Sequence, residues 1–220
     1  MAAIHSIDDR ARGRLEAYAA LLRRWQPVKN LVAPSTLPDL WRRHMADAAQ
    51  AFAAAPDARR WLDLGSGAGF PGLVTAILLG DEADAMVTLV EANGRKAAFL
   101  STVARELRLP IRVLNERIES VAERPAEDLG RIDAVSARAL ADLGRLFELA
   151  EPWLTGGSRG VFHKGQDFAS ECDAATQSWV FDLVEHQSRI DGDGRILVVS
   201  GLKRRLPEPD PARSMRPGAR

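Results

Sequence analysis

Residues 61–72, WLDLGSGAGFPG, pass from an apolar run containing one acid, Asp63, into a turn with four glycines and a proline. Such a stretch is a strand that ends in a tight turn and opens a helix, and its glycines let the backbone come close to a ligand. Read from Gly67, GAGFPG is a G-x-G-x-x-G, the pattern that seats a dinucleotide pyrophosphate on a helix N-terminus. Read from Gly65, the spacing through Gly67 and Gly69 is G-x-G-x-G, with Asp63 inside the strand. A turn of the second kind wraps an amino-acid tail and an adenosine, and the acid receives an ammonium directly or through water. The two registers ask for different cofactors, NAD(P) and S-adenosylmethionine (SAM). The spacing and Asp63 favour SAM.

Glu91 ends the next apolar run, MVTLVE, where a carboxylate can accept both ribose hydroxyls of either cofactor. Ile118 and Glu119 follow the third strand, placed to cover an adenine face and to meet its exocyclic amine. Asn93, Gly94, Arg95 and Lys96 open a helix, either orienting the adenosine or simply solvated. Arg117, Arg138 and Lys164 lie at or just past strand ends on the cofactor side, where cations can meet an anionic partner. Ion pairing with acids such as Glu119 is the alternative for Arg117 and Arg138. Phe70 either meets the ligand or packs in the core. Arg42, Arg43, His44 and Asp47 fall on consecutive helical turns, with His44 and Asp47 at i, i+3, as part of a pocket entrance or a structural hydrogen bond. The four histidines, His5, His44, His163 and His186, are scattered and form no triad. Trp25, Trp41, Trp61, Trp153 and Trp179 mostly fall on apolar stripes and read as core.

The elements that must position these residues follow from periodicity. Helical spacing of Leu15, Tyr18, Leu21, Leu22 and Trp25 predicts a helix over about 8–25 closed by Pro27, and Leu40 to Ala55 reads as a second. After Pro56 strands and helices alternate. Strands are expected at 61–65, 86–91, 111–115, 132–138 and 159–164, with helices between them. DGDG at 191–194 joins 180–190 and 195–203 as a hairpin; it starts like a calcium loop, but Leu202 stands where a bidentate Glu is needed. Alternation of this kind implies a parallel sheet, and the hairpin adds one antiparallel strand. The expected fold is therefore α/β: a Rossmann-like class I SAM-dependent methyltransferase, with a mostly parallel seven-stranded sheet and an N-terminal helical extension. The expected boundaries are 1–56 for the extension, 57–206 for the SAM-binding domain and 207–220 for a disordered basic tail.

Composition sets the outer limits. The 220 residues are 46% apolar, enough for one main domain, and 30 Lys+Arg balance 30 Asp+Glu. No global field points to a membrane or nucleic acid, although six basic residues against two acidic ones follow from Lys203 onward. A single cysteine, Cys172, makes no internal disulfide and no zinc signature, which fits a reduced, cytoplasmic chain with no metal. No signal peptide or membrane-spanning run is evident, so a soluble chain is expected; a monomer is the expected state.

Six motifs in order, NLVAPSTLPDLWRRHMADAAQ (30–50), WLDLGSGAGFPG (61–72), LVEANGRKAAFL (89–100), ERIE (116–119), DAVSARAL (133–140) and FHKGQ (162–166), make the chain resemble the RsmG family, once called glucose-inhibited division protein B. The resemblance runs from about Leu15 to Lys203. It implies methylation of guanine N7 in the decoding region of 16S ribosomal RNA, with 16S rRNA or the 30S subunit as partner. It also implies SAM contacts at Gly65, Phe70, Ile118, Glu119 and Arg138. Direct attack by N7 explains the missing acid–base constellation, and leaves Arg138 and Lys164 as the residues expected at the reaction. Arg117, Lys164 and His44 are the expected RNA contacts. His163, ahead of Lys164, departs from the small residue or proline expected there, and the tail lies outside the pattern. An NAD(P)-dependent oxidoreductase and a nonenzymatic RNA-binding or ribosome-assembly module are the other readings.

Overall fold

The computed structural model describes residues 7–124 and 128–205; the expected tail, 207–220, lies outside the described residues. Helix α1 (Asp9–Lys29) starts where the Asp8 carboxylate accepts the Ala11 N–H at 2.6 Å. It continues past Pro27, expected to stop it, because only one further turn follows before Asn30 leaves in the left-handed region. Proline ends hydrogen bonding toward the preceding turn but tolerates a final turn. Gln26 then secures the exit: its Oε1 accepts from the Leu31 and Val32 N–H groups at 2.9 and 3.0 Å.

The second expected helix is less regular. A 3-10 segment (Pro34–Asp39) leads into a π-helical turn (Trp41–Ala46) and only then into α2 (Asp47–Ala54). π-Turns are uncommon and concentrate at functional sites. This one carries His44 at its centre, and Asp47 follows it directly.

The remainder alternates: β1 (Arg60–Leu64), α3 (Gly72–Leu79), β2 (Met86–Val90), α4 (Gly94–Glu106), β3 (Ile111–Leu114), α5 (Ile118–Ala122), β4 (Ala134–Arg138), α6 (Leu143–Thr155), β5 (Arg159–Lys164), α7 (Phe168–Ala175), β6 (Trp179–Gln187) and β7 (Arg195–Arg204). The seven strands form one sheet in the order β3-β2-β1-β4-β5-β7-β6. All neighbours are parallel except β7, which runs antiparallel to both β5 and β6. Central strands are covered on both faces, which is why β1 and β4 are buried at every position but one end, Arg60 and Arg138.

One buried cluster joins Tyr18, Leu22 and Leu40 of the N-terminal segment to Trp61, Leu73 and Phe99. A second, on the other face, joins Leu62, Leu64, Phe147, Phe162 and Trp179. Burying each such side chain stabilises the fold by about 1.5–3 kcal/mol. Trp61 and Trp179 are core as expected; Trp41 is not, being 41% exposed on the π-turn.

Candidate active site

The turn after β1 places Gly65, Gly67 and Gly69 at φ of 66°, 58° and 99°. Only glycine reaches such values without strain. Their surroundings differ. A Cβ on Gly69 would lie 2.2 Å from Leu73 Cδ1, and one on Gly65 would lie 2.8 Å from Leu140 Cδ1. A Cβ on Gly67 would meet nothing closer than the Gly65 carbonyl at 3.8 Å. The outer glycines thus pack the turn, while the space over Gly67 is open. Gly72 belongs to the packing: its Cβ would fall 2.4 Å from Leu89 and 2.7 Å from Asp63 Oδ2.

Two residues that sequence reading passed over fix this turn. Tyr18 on α1 donates its hydroxyl to the Ala68 carbonyl at 2.6 Å, and Ser136 on β4 donates to Asp63 Oδ1 at 2.7 Å. Tyr18 shows in sequence only as one more apolar position of a helix, so no local signal marks it. Asp63 is 1% exposed, with its Oδ2 facing Gly72 and without a hydrogen-bond partner among the described residues. Burial pushes its carboxyl up to about 6, with the Ser136 hydroxyl opposing the shift.

Glu91, just past β2, accepts the Gly67 N–H through Oε2 at 2.8 Å and the Asn93 N–H through Oε1 at 2.7 Å. It joins the glycine turn to the start of α4. Asn115 Nδ2 donates to the Glu91 carbonyl at 2.8 Å and brings the end of β3 alongside. Ile118 and Glu119 open α5 next to it, Ile118 packed against the second cluster and Glu119 exposed. The Glu119 carboxylate pairs with Arg145 at 3.0 Å, so neither Arg117 nor Arg138 is its partner. Arg117 is exposed and has no ion-pair partner among the described residues.

Arg138 ends β4 and meets the N-terminal segment. Its guanidinium donates to Asp47 Oδ2 at 3.0 Å and to His44 Nδ1 at 2.7 Å, and lies 5.3 Å over the Phe70 ring. Since His44 Nδ1 accepts, Nε2 carries the proton and donates to Thr36 Oγ1 at 2.8 Å; the Thr36 hydroxyl donates onward to the Ala33 carbonyl at 2.8 Å. Burial and the Arg138 charge lower His44 to about 4, which keeps the imidazole neutral and able to accept. Phe70 stacks on His44 at 5.0 Å and packs on Tyr18 at 5.3 Å; at 6% exposure it is core.

Lys164, expected with a free ammonium at the mouth, is committed elsewhere. Its Nζ donates to the Ala141 carbonyl at 2.8 Å and pairs with Glu171 at 2.5 Å, with the side chain 8% exposed. Glu171 also accepts the Leu143 N–H at 2.7 Å, so the pair ties the β4–α6 loop to α7. Burial selects this arrangement: an unpaired ammonium there would be strongly disfavoured.

A family model described as rRNA small subunit methyltransferase G matches residues 12–194. The chain belongs to the rRNA small subunit methyltransferase G family. A ribosomal RNA small subunit methyltransferase G of Brucella canis is 47% identical over 192 residues, 87% of this chain and 88% of its own. The corresponding Brucella ovis protein is 46% identical over the same extent. Among solved structures, the O-methyltransferase TomG from Streptomyces achromogenes, in complex with SAM, superposes with a TM-score of 0.58 at 15% identity, over 90% of this chain and 93% of its own. A putative O-methyltransferase from Klebsiella pneumoniae gives 0.55 at 13% identity, over 89% and 91%. These establish the class I methyltransferase fold, antiparallel β7 included.

His163, the departure from the family pattern, is accommodated inside the same network. Its Nε2–H donates to the Asp47 carbonyl at 3.1 Å, and its buried Nδ1 is without a partner among the described residues. Burial lowers its pKa, so it too is neutral. No helix among the described residues is long and apolar enough to cross a membrane.

Proposed function

We propose that this member of the rRNA small subunit methyltransferase G family transfers a methyl group from SAM to N7 of a guanine in 16S rRNA, acting as a cytoplasmic monomer on the 30S subunit or its precursor. The observation that carries the cofactor is the open position over Gly67, whose N–H the Glu91 carboxylate accepts. A pyrophosphate site would need the register starting at Gly67, in which the backbone of the second glycine, Gly69, approaches the phosphates; the position a Cβ would take there is filled by Leu73, at 2.2 Å.

The residues present fit SAM. Each Glu91 oxygen already accepts one N–H and keeps a lone pair for a ribose hydroxyl. Ile118 and Glu119 suit adenine, Gly65, Gly67 and Gly69 the methionine backbone, and Asp63 an ammonium through the turn. Arg138 suits the carboxylate, and Phe70 supports Arg138 from below. When bound, SAM supplies an electrophilic methyl on a sulfonium sulfur. Guanine N7 carries a lone pair and no proton at neutral pH, so no residue has to act as a base. That accords with His44 and His163, both neutral and held in hydrogen bonds. The chain contributes alignment and exclusion of water. For Lys164 the role supported is positioning: it fixes the loop after Arg138. Arg117, with no ion-pair partner among the described residues, and the His44 segment suit RNA.

The test is methylation of 30S subunits from a strain lacking the modification, with N7-methylguanine mapped in 16S rRNA. No new N7-methylguanine would overturn the reading. Calorimetry with SAM and with NAD separates the oxidoreductase alternative, since NAD binding without SAM binding would support it.

A further inference from the structure

We infer that Asp39 binds the Watson–Crick edge of the target guanine in the cleft beyond Arg138, and so turns N7 toward the cofactor. The inference rests on the guanine-N7 reading above and adds the residue that selects the base.

A guanine methylated at N7 must offer its N7/O6 edge to the methyl donor. The protein can then grip only its faces and its other edge. That edge carries two adjacent donors, N1–H and the 2-amino group, and a carboxylate offers two acceptor oxygens with no competing donor. The requirement is therefore an uncommitted carboxylate lining a cleft that adjoins the cofactor site.

Such a cleft is present. It encloses about 630 Å³ between the Thr36–Asp47 segment and the β6–β7 loop, with Arg138 and Ala139 between them. This volume lies within the range of roughly 300–1,000 Å³ usual for small-ligand sites. Arg138 also lies 5.3 Å over the ring of Phe70 in the glycine turn, so the residue that lines the cleft adjoins the proposed SAM site. Its walls are tied together: Arg42 donates to the Ile190 carbonyl at 3.1 Å, Gln50 Nε2 donates to Ser188 Oγ at 3.1 Å, and the Arg189 N–H donates to Gln50 Oε1 at 2.7 Å. A nucleobase would enter a preformed space.

Three carboxylates line it. Asp47 is committed to Arg138. Asp191 is exposed, and its Oδ1 accepts the Asp193 N–H at 3.2 Å. Asp39, half-buried at the end of the 3-10 segment, has no hydrogen-bond or ion-pair partner among the described residues. Arg43 lines the same opening with no carboxylate partner among the described residues, suited to the phosphate of the same nucleotide.

The test uses the full chain and 30S particles assembled on ligated 16S RNA bearing either guanosine or inosine at the methylated position. Inosine keeps N7, O6 and N1–H and lacks only the 2-amino group. Wild-type protein should favour guanosine by about 10- to 100-fold in kcat/KM, the range for one hydrogen bond to a charged group, and in the same direction in Kd measured without SAM. Asp39→Asn should reduce the preference to near unity in both, with SAM affinity unchanged. Equal binding and methylation of the two RNAs by wild-type protein, or a preference that survives in Asp39→Asn, overturns the assignment to Asp39. Failure to methylate even the guanosine particle overturns the parent reading instead. The wild-type comparison requires no variant to fold.

Discussion

Arg138 and His44 are joined by a 2.7 Å hydrogen bond between residues 94 positions apart, which locks the end of β4 to the π-turn of the N-terminal segment. The bond requires a neutral imidazole. His44 is lowered to about 4 by burial and by Arg138, while an unfolded chain would protonate it near its ordinary 6.5. Between these values the unfolded state binds the extra proton, so this contribution to stability is complete above about 6.5 and is lost as pH falls through about 4. Asp47 and Asp39 oppose the shift, and Arg43 reinforces it. His44→Gln, which keeps an acceptor and does not titrate, should lose less in melting temperature than wild type between pH 7 and 4. Parallel melting curves for the two proteins would contradict the neutral-acceptor geometry.

The glycine turn separates packing from ligand approach. Gly69→Ala puts a Cβ into Leu73 at a φ that L-residues avoid, and should destabilise the protein by on the order of 3 kcal/mol. Gly67→Ala has room and a left-handed φ worth about 1 kcal/mol, so it should fold. It should nonetheless weaken SAM binding at least tenfold. Calorimetry showing wild-type SAM affinity in Gly67→Ala would remove the ligand from that space.

Asp63 is kept as a buried acid at an energetic disadvantage. Its folded pKa of about 6 lies above the ordinary 3.8, so the native form holds the proton more tightly. The stability this gives is full below about 3.8 and declines as pH rises through about 6. Asp63→Asn should therefore match wild type near pH 4 and exceed it at pH 8, by on the order of 1–3 kcal/mol in ligand-free protein. SAM affinity should fall in the same variant. If denaturant titrations at pH 8 show no gain, the carboxylate is better solvated than its burial indicates.

Lys164 and Arg117 should separate in salt dependence. Lys164→Met leaves Glu171 without its cation and should destabilise the fold by about 3 kcal/mol, with the salt slope of RNA binding unchanged. Arg117→Ala should leave stability alone and lower that slope by about one counterion. Filter binding over a range of salt decides; a reduced slope for Lys164→Met would return its ammonium to the RNA.

Much of this was set locally. Strand and helix order follows from apolar periodicity, and the spacing of Gly65, Gly67 and Gly69 marks a turn that needs positive φ beside an acid. Both are properties of a few adjacent residues. The sequence by itself therefore determined the fold class, the glycine turn and the place of Glu91 at the end of β2. Tertiary structure alone decided what each polar group meets: Arg138 with Asp47, 91 residues away, Lys164 with Ala141 and Glu171, and Phe70 buried under His44. A cation at a strand end reads the same in sequence whether it faces RNA or a buried acid. The choice depends on which distant side chains the packed core brings within about 3 Å and removes from water.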